Sequence, residues 1–220
     1  MARHAVVAAL ALCAAVTPAS ADPLPAAPAS APAPPPASAL AGEGFTLSAD
    51  EKGVKVYRRE KRPGIELAAE GNIAATPERV RRILVDYPSH QRWQKHLREA
   101  RILARGEGFL DVYERLNLPV LDDRDFTLHV TWGDDGAVPW MRFAAVGGLG
   151  PGPVKGVVRV TRHDGGWRLE PIEGGKSTHA VYRFYLDLAG SFPAWMGRGQ
   201  AASDVPELFA NITRQLPSYP

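Results

Sequence analysis

The sequence predicts an α+β domain in which a long curved antiparallel sheet is interrupted by a short helical pair and closed by a long C-terminal α-helix. Three observations carry this expectation. Short runs with two-residue periodicity or β-branched side chains recur between residues 53 and 188, separated by turns containing glycine, asparagine or aspartate. A helix start, Thr76-Pro77, interrupts them early. Val205, Leu208, Phe209, Ile212 and Leu216 then recur at helical spacing near the end. A sheet of this kind bends around its last helix, and the pattern permits either a filled core or a cavity between them.

The first residues read as a processing signal rather than as part of the fold. Arg3 and His4 are a charged start, Ala5 to Val16 an apolar stretch too short to span a bilayer comfortably, and Ala19-Ser20-Ala21 a cleavage site. Residues 1–21 are therefore expected to be a signal peptide, which places the protein in the periplasm or outside the cell. Cys13, the single cysteine, lies in that segment, so disulfides cannot hold the mature chain together. Residues 22–42 are mostly Ala, Pro and Ser, with Pro34-Pro35-Pro36 among them; they bury little apolar surface and read as an extended, disordered tether. Residues 43–220 have the size of one domain. The chain has 26 basic and 24 acidic residues, and loss of Arg3 leaves 25 against 24. That balance gives no nucleic-acid footprint.

Within the domain, Gly53 to Lys61 and Ile65 to Ile73 read as a hairpin turned at Pro63-Gly64. Thr76 caps a helix with Pro77 at its first position; Val80, Ile83, Leu84 and Tyr87 form its apolar stripe until Pro88 stops it, and a second short helix is expected around Gln91 to Leu97. Strands are then expected over Ala100 to Ala104, Leu110 to Leu118, Phe126 to Trp132, Trp140 to Val146, Val157 to Arg162, Trp167 to Pro171 and Thr178 to Leu188, with turns at Asp164-Gly165-Gly166 and Glu173-Gly174-Gly175. Asp204 and Glu207 offer a capping-box-like start to the last helix, to which an earlier turn from Pro193 can join with a kink near Pro206.

The order of these elements, with GVKVYRRE (Gly53 to Glu60), EGNI (Glu70 to Ile73), VDYPSHQRW ending at Trp93, DVYE (Asp111 to Glu114), DRDF (Asp123 to Phe126), GVVRV (Gly156 to Val160) and DLAGSFPAW (Asp187 to Trp195), resembles the START family, the steroidogenic-acute-regulatory-related lipid-transfer domains of the helix-grip (Bet v 1-like) superfold. The resemblance covers about Gly44 to Leu216. The domain is somewhat short for the family, and the link from Asp187 into the last helix lacks its usual lysine. The resemblance implies a hydrophobic cavity holding one sterol-, phospholipid- or fatty-acid-like ligand, a transient membrane surface as the other partner, and a monomer without catalytic residues or cofactor. Physically, each methylene moved from bilayer to water costs about 0.8 kcal/mol, so a lipid crossing water needs such a hollow.

The resemblance also implies that Glu114 and Arg124 form a polar pair inside the cavity. Strand parity agrees in part, since Val112, Glu114 and Leu116 share one face, as do Arg124, Phe126 and Leu128. The alternative is that Arg124 pairs with Asp122, Asp123 or Asp125 at a solvated strand entrance while Glu114 faces water. Expected ligand-binding residues are Glu114, Arg124, Leu116, Phe126, Leu128, Phe209 and Ile212. Expected lid or membrane-contact residues are Gly148 and Gly150, in a mobile loop at the cavity mouth, and Phe192, Trp195 and Met196 before the last helix.

The six histidines contain no HExxH spacing and form no local ligand set, so no metal is expected. His129 and His179 fall on the face opposite the apolar one. Three functions stay open: a lipid carrier, with a continuous apolar cavity; a cyclase or aromatase-like enzyme, with several convergent ionisable groups of perturbed pKa; and a filled-core interaction module.

Overall fold

The computed structural model describes residues 40–61, 64–118, 121–187, 189 and 196–220, with the side chains of 41, 65 and 196–203 also set aside. The expected signal peptide, most of the tether, Pro63, Phe192 and Trp195 lie outside the described residues, as does the side chain of Met196.

Ten strands form one sheet: β1 (Thr46–Glu51), β2 (Val54–Lys61), β3 (Gly64–Ile73), β4 (Leu97–Gly106), β5 (Phe109–Leu116), β6 (Asp123–Asp135), β7 (Val138–Ala145), β8 (Val157–Arg159), β9 (Arg162–Ile172) and β10 (Ser177–Asp187). Their order is β1-β2-β3-β10-β9-β7-β6-β5-β4, antiparallel throughout, while β8 pairs in parallel with the start of β6. Two helices, α1 (Pro77–Val85) and α2 (Tyr87–His90), interrupt the strands, and α3 (Met196–Gln215) packs against β1, β2, β3 and α1.

The strand periodicity sorts side chains as expected. Val56, Leu67, Val112, Leu128, Val130 and Leu169 point to one face and are buried with Val80 and Ile83 of α1 and Ile212 of α3. Each such side chain contributes roughly 1.5–3 kcal/mol. Thr76 caps α1, its Oγ accepting from the Arg79 amide at 3.4 Å.

Several expectations need correction. Pro88 does not end helical structure; it occupies the first turn of α2, where a missing N–H costs nothing, and residues 91–97 are turn and strand rather than helix. Asp164-Gly165-Gly166 is not a turn but the middle of an eleven-residue strand, Gly165 facing Phe143 of β7 and Phe184 of β10. A Cβ at Gly165 would lie 2.6 Å from the Phe143 ring and 2.8 Å from Phe184 Cβ, so glycine serves close packing there. Glu173-Gly174-Gly175 is the real turn, with all three residues at positive φ. β1 was not expected: TLSADE is an exposed edge strand with little alternation, joined to β2 through Lys52 and Gly53, both at positive φ. Asp204 and Glu207 lie inside α3 rather than capping it, because the helix begins at Met196 and continues through Pro206.

Candidate functional site

Between the inner face of the sheet and α3 lies a cavity of about 350 Å³. Its wall is mainly hydrocarbon and ring: Leu116, Phe126, Leu128, Phe143, Trp167 and Phe184 from the sheet, Leu84 from α1, and Val205 and Leu208 from α3. Tyr182 stacks on Trp167, with centroids 4.3 Å apart, and Phe184 lies 5.1 Å beyond. The exposed Lys95 and Asp204 mark the rim.

Glu114 is placed here by the alternation of β5. It sits opposite Ala100 of β4, whose methyl fills little space, and opposite Phe126 of β6. It is buried, and among the described residues no hydrogen bond or ion pair reaches its carboxylate. Burial alone lifts its pKa from 4.5 to about 8, so the group is a neutral acid at neutral pH. Tyr87 and Tyr182 also line the cavity, and their hydroxyls have no hydrogen-bond partner among the described residues. Burial first, then the nearby Glu114, pushes both phenols above their ordinary range.

Two histidines complete the polar part of the lining. His163 donates from Nδ1 to the Tyr185 carbonyl at 3.0 Å, and its ring stands among Phe126 (5.2 Å), Phe143 (4.8 Å) and Phe184 (6.2 Å). His90 donates from Nε2 to the Ile83 carbonyl at 3.0 Å. In each tautomer the carbonyl can only accept. Burial drives both imidazoles down to about 4. Glu114, the two tyrosines and the two histidines are thus all held in their uncharged forms at neutral pH.

Arg124 behaves differently from the expected pair. It is buried on the same face as Glu114, diagonal to it in the ladder, yet its Nη1 donates to the Asp122 carbonyl, it does not line the cavity, and among the described residues no ion pair joins Glu114 to it or to any other cation. The flanking acids of DDRDF point to the outer face and form a clamp. Asp123 receives Arg115 (2.7 Å) and Asn117 (2.9 Å). Asp125, 1% exposed, receives Arg159 at 2.6 and 2.9 Å and the Tyr113 hydroxyl at 3.1 Å. That bidentate pair ties β8 to β6.

The glycine-rich loop is also displaced from its expected position. Gly148 and Gly150 are not at the cavity mouth: the Leu149 carbonyl accepts from Thr127 Oγ1 at 3.1 Å, and Gly150 lies against Thr127, Tyr113 and Leu103, on the face opposite the cavity. Thr127 and Tyr113 alternate with the inward Phe126 and Glu114, so the loop covers the outer face. Phe209 and Ile212 are buried but do not line the cavity; Phe209 packs on Trp167 at 5.2 Å and beside Gly71, while their helix neighbours Val205, Leu208 and Asn211 face the hollow. His129 and His179 point outward, His129 Nδ1 bonding Asp111 at 2.7 Å and His179 Nδ1 bonding Asn72 at 2.9 Å. Tyr87, Tyr182, His90 and His163 were not singled out for this site; the alternation Ala180, Tyr182, Phe184, Leu186 on β10 is the signal that points to Tyr182.

No family model and no curated protein matches the sequence. Among solved structures, the STAR-related lipid transfer protein of Xanthomonas axonopodis superposes with a TM-score of 0.71 at 24% identity, covering 79% of this chain and 99% of that one. Human STARD10 gives 0.72 at 20% identity, covering 84% and 81%. The fold is that of the START-related lipid-transfer domains. The same superfold reaches the Zhui aromatase/cyclase of a Streptomyces species, with a TM-score of 0.51 at 14% identity, covering 69% and 93%. Among the described residues no cluster of three His, Cys, Asp or Glu is arranged to hold a metal, and no helix is long and apolar enough to cross a membrane.

Proposed function

We propose that this chain is an exported lipid-binding and lipid-transfer protein carrying one hydrophobic ligand in the cavity between sheet and α3. The observation that carries this reading is the hollow itself: about 350 Å³ walled by rings and aliphatic side chains, with Glu114, His90 and His163 in its lining held neutral by burial. Such a wall receives hydrocarbon at about 0.8 kcal/mol per methylene and offers no counter-charge to an ionised head group. The volume is near the lower end of small-molecule sites, roughly 300–1,000 Å³, which suits a single chain or compact ring system better than a two-chain phospholipid. The leader-like residues 1–21 support export to the periplasm or beyond, and a carrier of this kind would work as a monomer with a membrane as donor or acceptor.

The cyclase reading draws on the same five ionisable groups, since perturbed pKa values cluster at active sites. General acid–base chemistry, however, needs a donor and an acceptor linked so that they can exchange a proton, and among the described residues no hydrogen bond joins Glu114 to His90 or His163, whose hydrogen bonds go to backbone carbonyls. Native mass spectrometry of the protein purified from its host, with uptake of fluorescent sterol and acyl probes, tests carriage. A stoichiometric mass addition, recovered chemically unaltered after incubation, is the expected result. Reproducible absence of any addition, together with no probe uptake, refutes the reading.

A further inference from the structure

Three oxygen-bearing side chains line the cavity without a hydrogen-bond partner among the described residues: the Glu114 carboxyl and the Tyr87 and Tyr182 hydroxyls. Glu114 is 7% exposed and Tyr87 5%, so two of the three are more than nine-tenths buried. Tyr182 is fixed from behind by its stack on Trp167. The oxygens of all three open onto the hollow rather than being sealed in packed core, so a guest can supply the hydrogen bonds that the described residues do not. What they have in common is an O–H. A protonated carboxyl and two phenols are acidic donors, and a neutral carboxylic acid beside a tyrosine is an arrangement that stabilises a carbonyl or oxyanion oxygen.

We propose that Glu114, Tyr87 and Tyr182 form a hydrogen-bond donor site for a carbonyl oxygen, so that the ligand carried is an uncharged, hydrophobic ketone or related carbonyl compound. The inference rests on the carrier reading above and sharpens it to a chemical class. An ionised carboxylate is disfavoured because, among the described residues, Lys95 is the one permanent cation in the lining and it stands at the rim. A carbonyl fits, because its two lone pairs accept from two or more of these groups at once while the rest of the molecule rests against Phe126, Phe184 and Trp167.

Two fluorescent probes of matched shape test this on the full chain: a propionyl-substituted dimethylaminonaphthalene, whose emission moves to the red when its carbonyl accepts a hydrogen bond, and its propyl-substituted counterpart. The ketone is expected to bind more tightly and to show the red shift. Tyr182→Phe, which keeps the ring stack, is expected to weaken the ketone about five- to tenfold and the alkane less than about twofold. If a variant fails to fold, the unsubstituted protein supplies the second measurement. The preference for ketone should fall as pH rises past about 8 and Glu114 ionises, and Glu114→Gln should abolish that dependence. The groups facing Glu114 are Tyr87 and His90 of α2, His163 of β9 and Tyr182 of β10, with Lys95, His96, Asp204 and Glu207 also around the cavity, so the Gln variant separates its titration from theirs. Equal binding of both probes with no red shift overturns the carbonyl site and leaves carriage standing. Failure of both probes to bind overturns the carrier reading and this proposal with it.

Discussion

Replacing Glu114 by Gln is expected to stabilise the protein at neutral pH. Burial lifts the folded-state pKa of this carboxyl from 4.5 to about 8. The unfolded chain gives up the proton near pH 4.5, whereas the folded chain keeps it, so the folded state binds more protons across the window and stability falls as pH rises from about 4.5 to about 8. At about 1.4 kcal/mol per unit, the loss at pH 7 is about 3 kcal/mol. Glutamine has the same shape, remains neutral at every pH, and escapes this loss. The histidines act in the opposite direction. His90 and His163 titrate at about 4 in the folded protein against 6.5 in the free residue. Below about pH 6.5 the unfolded chain takes protons that the folded chain refuses, and stability falls as pH drops towards 4. The two limbs place maximal stability near pH 6.5. Urea unfolding of both proteins without ligand, at intervals from about pH 5 to about pH 8, is the assay. The advantage of Glu114→Gln should be small at the acid end, grow to about 3 kcal/mol at pH 7, and leave the alkaline limb flat. A variant no more stable than the parent at every pH would refute the claim that the carboxyl is held dry and neutral in the hollow.

Three further outcomes are expected. Asp125→Ala should lose about 2–3 kcal/mol in urea unfolding, somewhat less than the roughly 3–5 kcal/mol for breaking a fully buried pair because Arg159 keeps some contact with water, with ligand uptake retained. Gly165→Ala should lose about 1–3 kcal/mol because its methyl group meets Phe143 and Phe184; an unchanged midpoint would mean that the sheet yields freely at that point. His163→Phe should move the acid-unfolding midpoint to lower pH, followed by near-ultraviolet circular dichroism, and an unmoved midpoint would show that this imidazole is hydrated.

Strand parity made the cavity wall legible: Glu114, Leu116, Phe126 and Leu128 follow from counting by twos along β5 and β6, and the register pairs Glu114 with Phe126. Arg124 shows where parity stops. It fixes the face on which a side chain starts, while a long, flexible side chain finds its partner from three-dimensional proximity, here the carbonyl of Asp122. The two Gly-Gly pairs make the same point for backbone. Asp164-Gly165-Gly166 and Glu173-Gly174-Gly175 have nearly the same local composition, but only the first lies beneath Phe143 and Phe184, a contact between strands distant in sequence. The loop at Gly148 and Gly150 was placed on the wrong side because glycine content reports backbone freedom and not the direction in which a loop folds. On α3, helical spacing identified a buried stripe, but a stripe wide enough to cover both core and hollow does not say which of its edges, Phe209 or Leu208, meets which.

The short segment leading into β1 has its own consequence. Leu40 and Phe45 are buried against Ala68 and Tyr57, on the side of the sheet away from the hollow, and the guanidinium groups of Arg59 and Arg183 lie 4.7 and 5.0 Å from the centre of the Phe45 ring. Glu43 adds ion pairs to both arginines. Residues 40–45 are therefore fastened to the outer face of the sheet by cations resting on a ring, so their anchorage takes up none of the wall through which a guest would pass between Lys95 and Asp204.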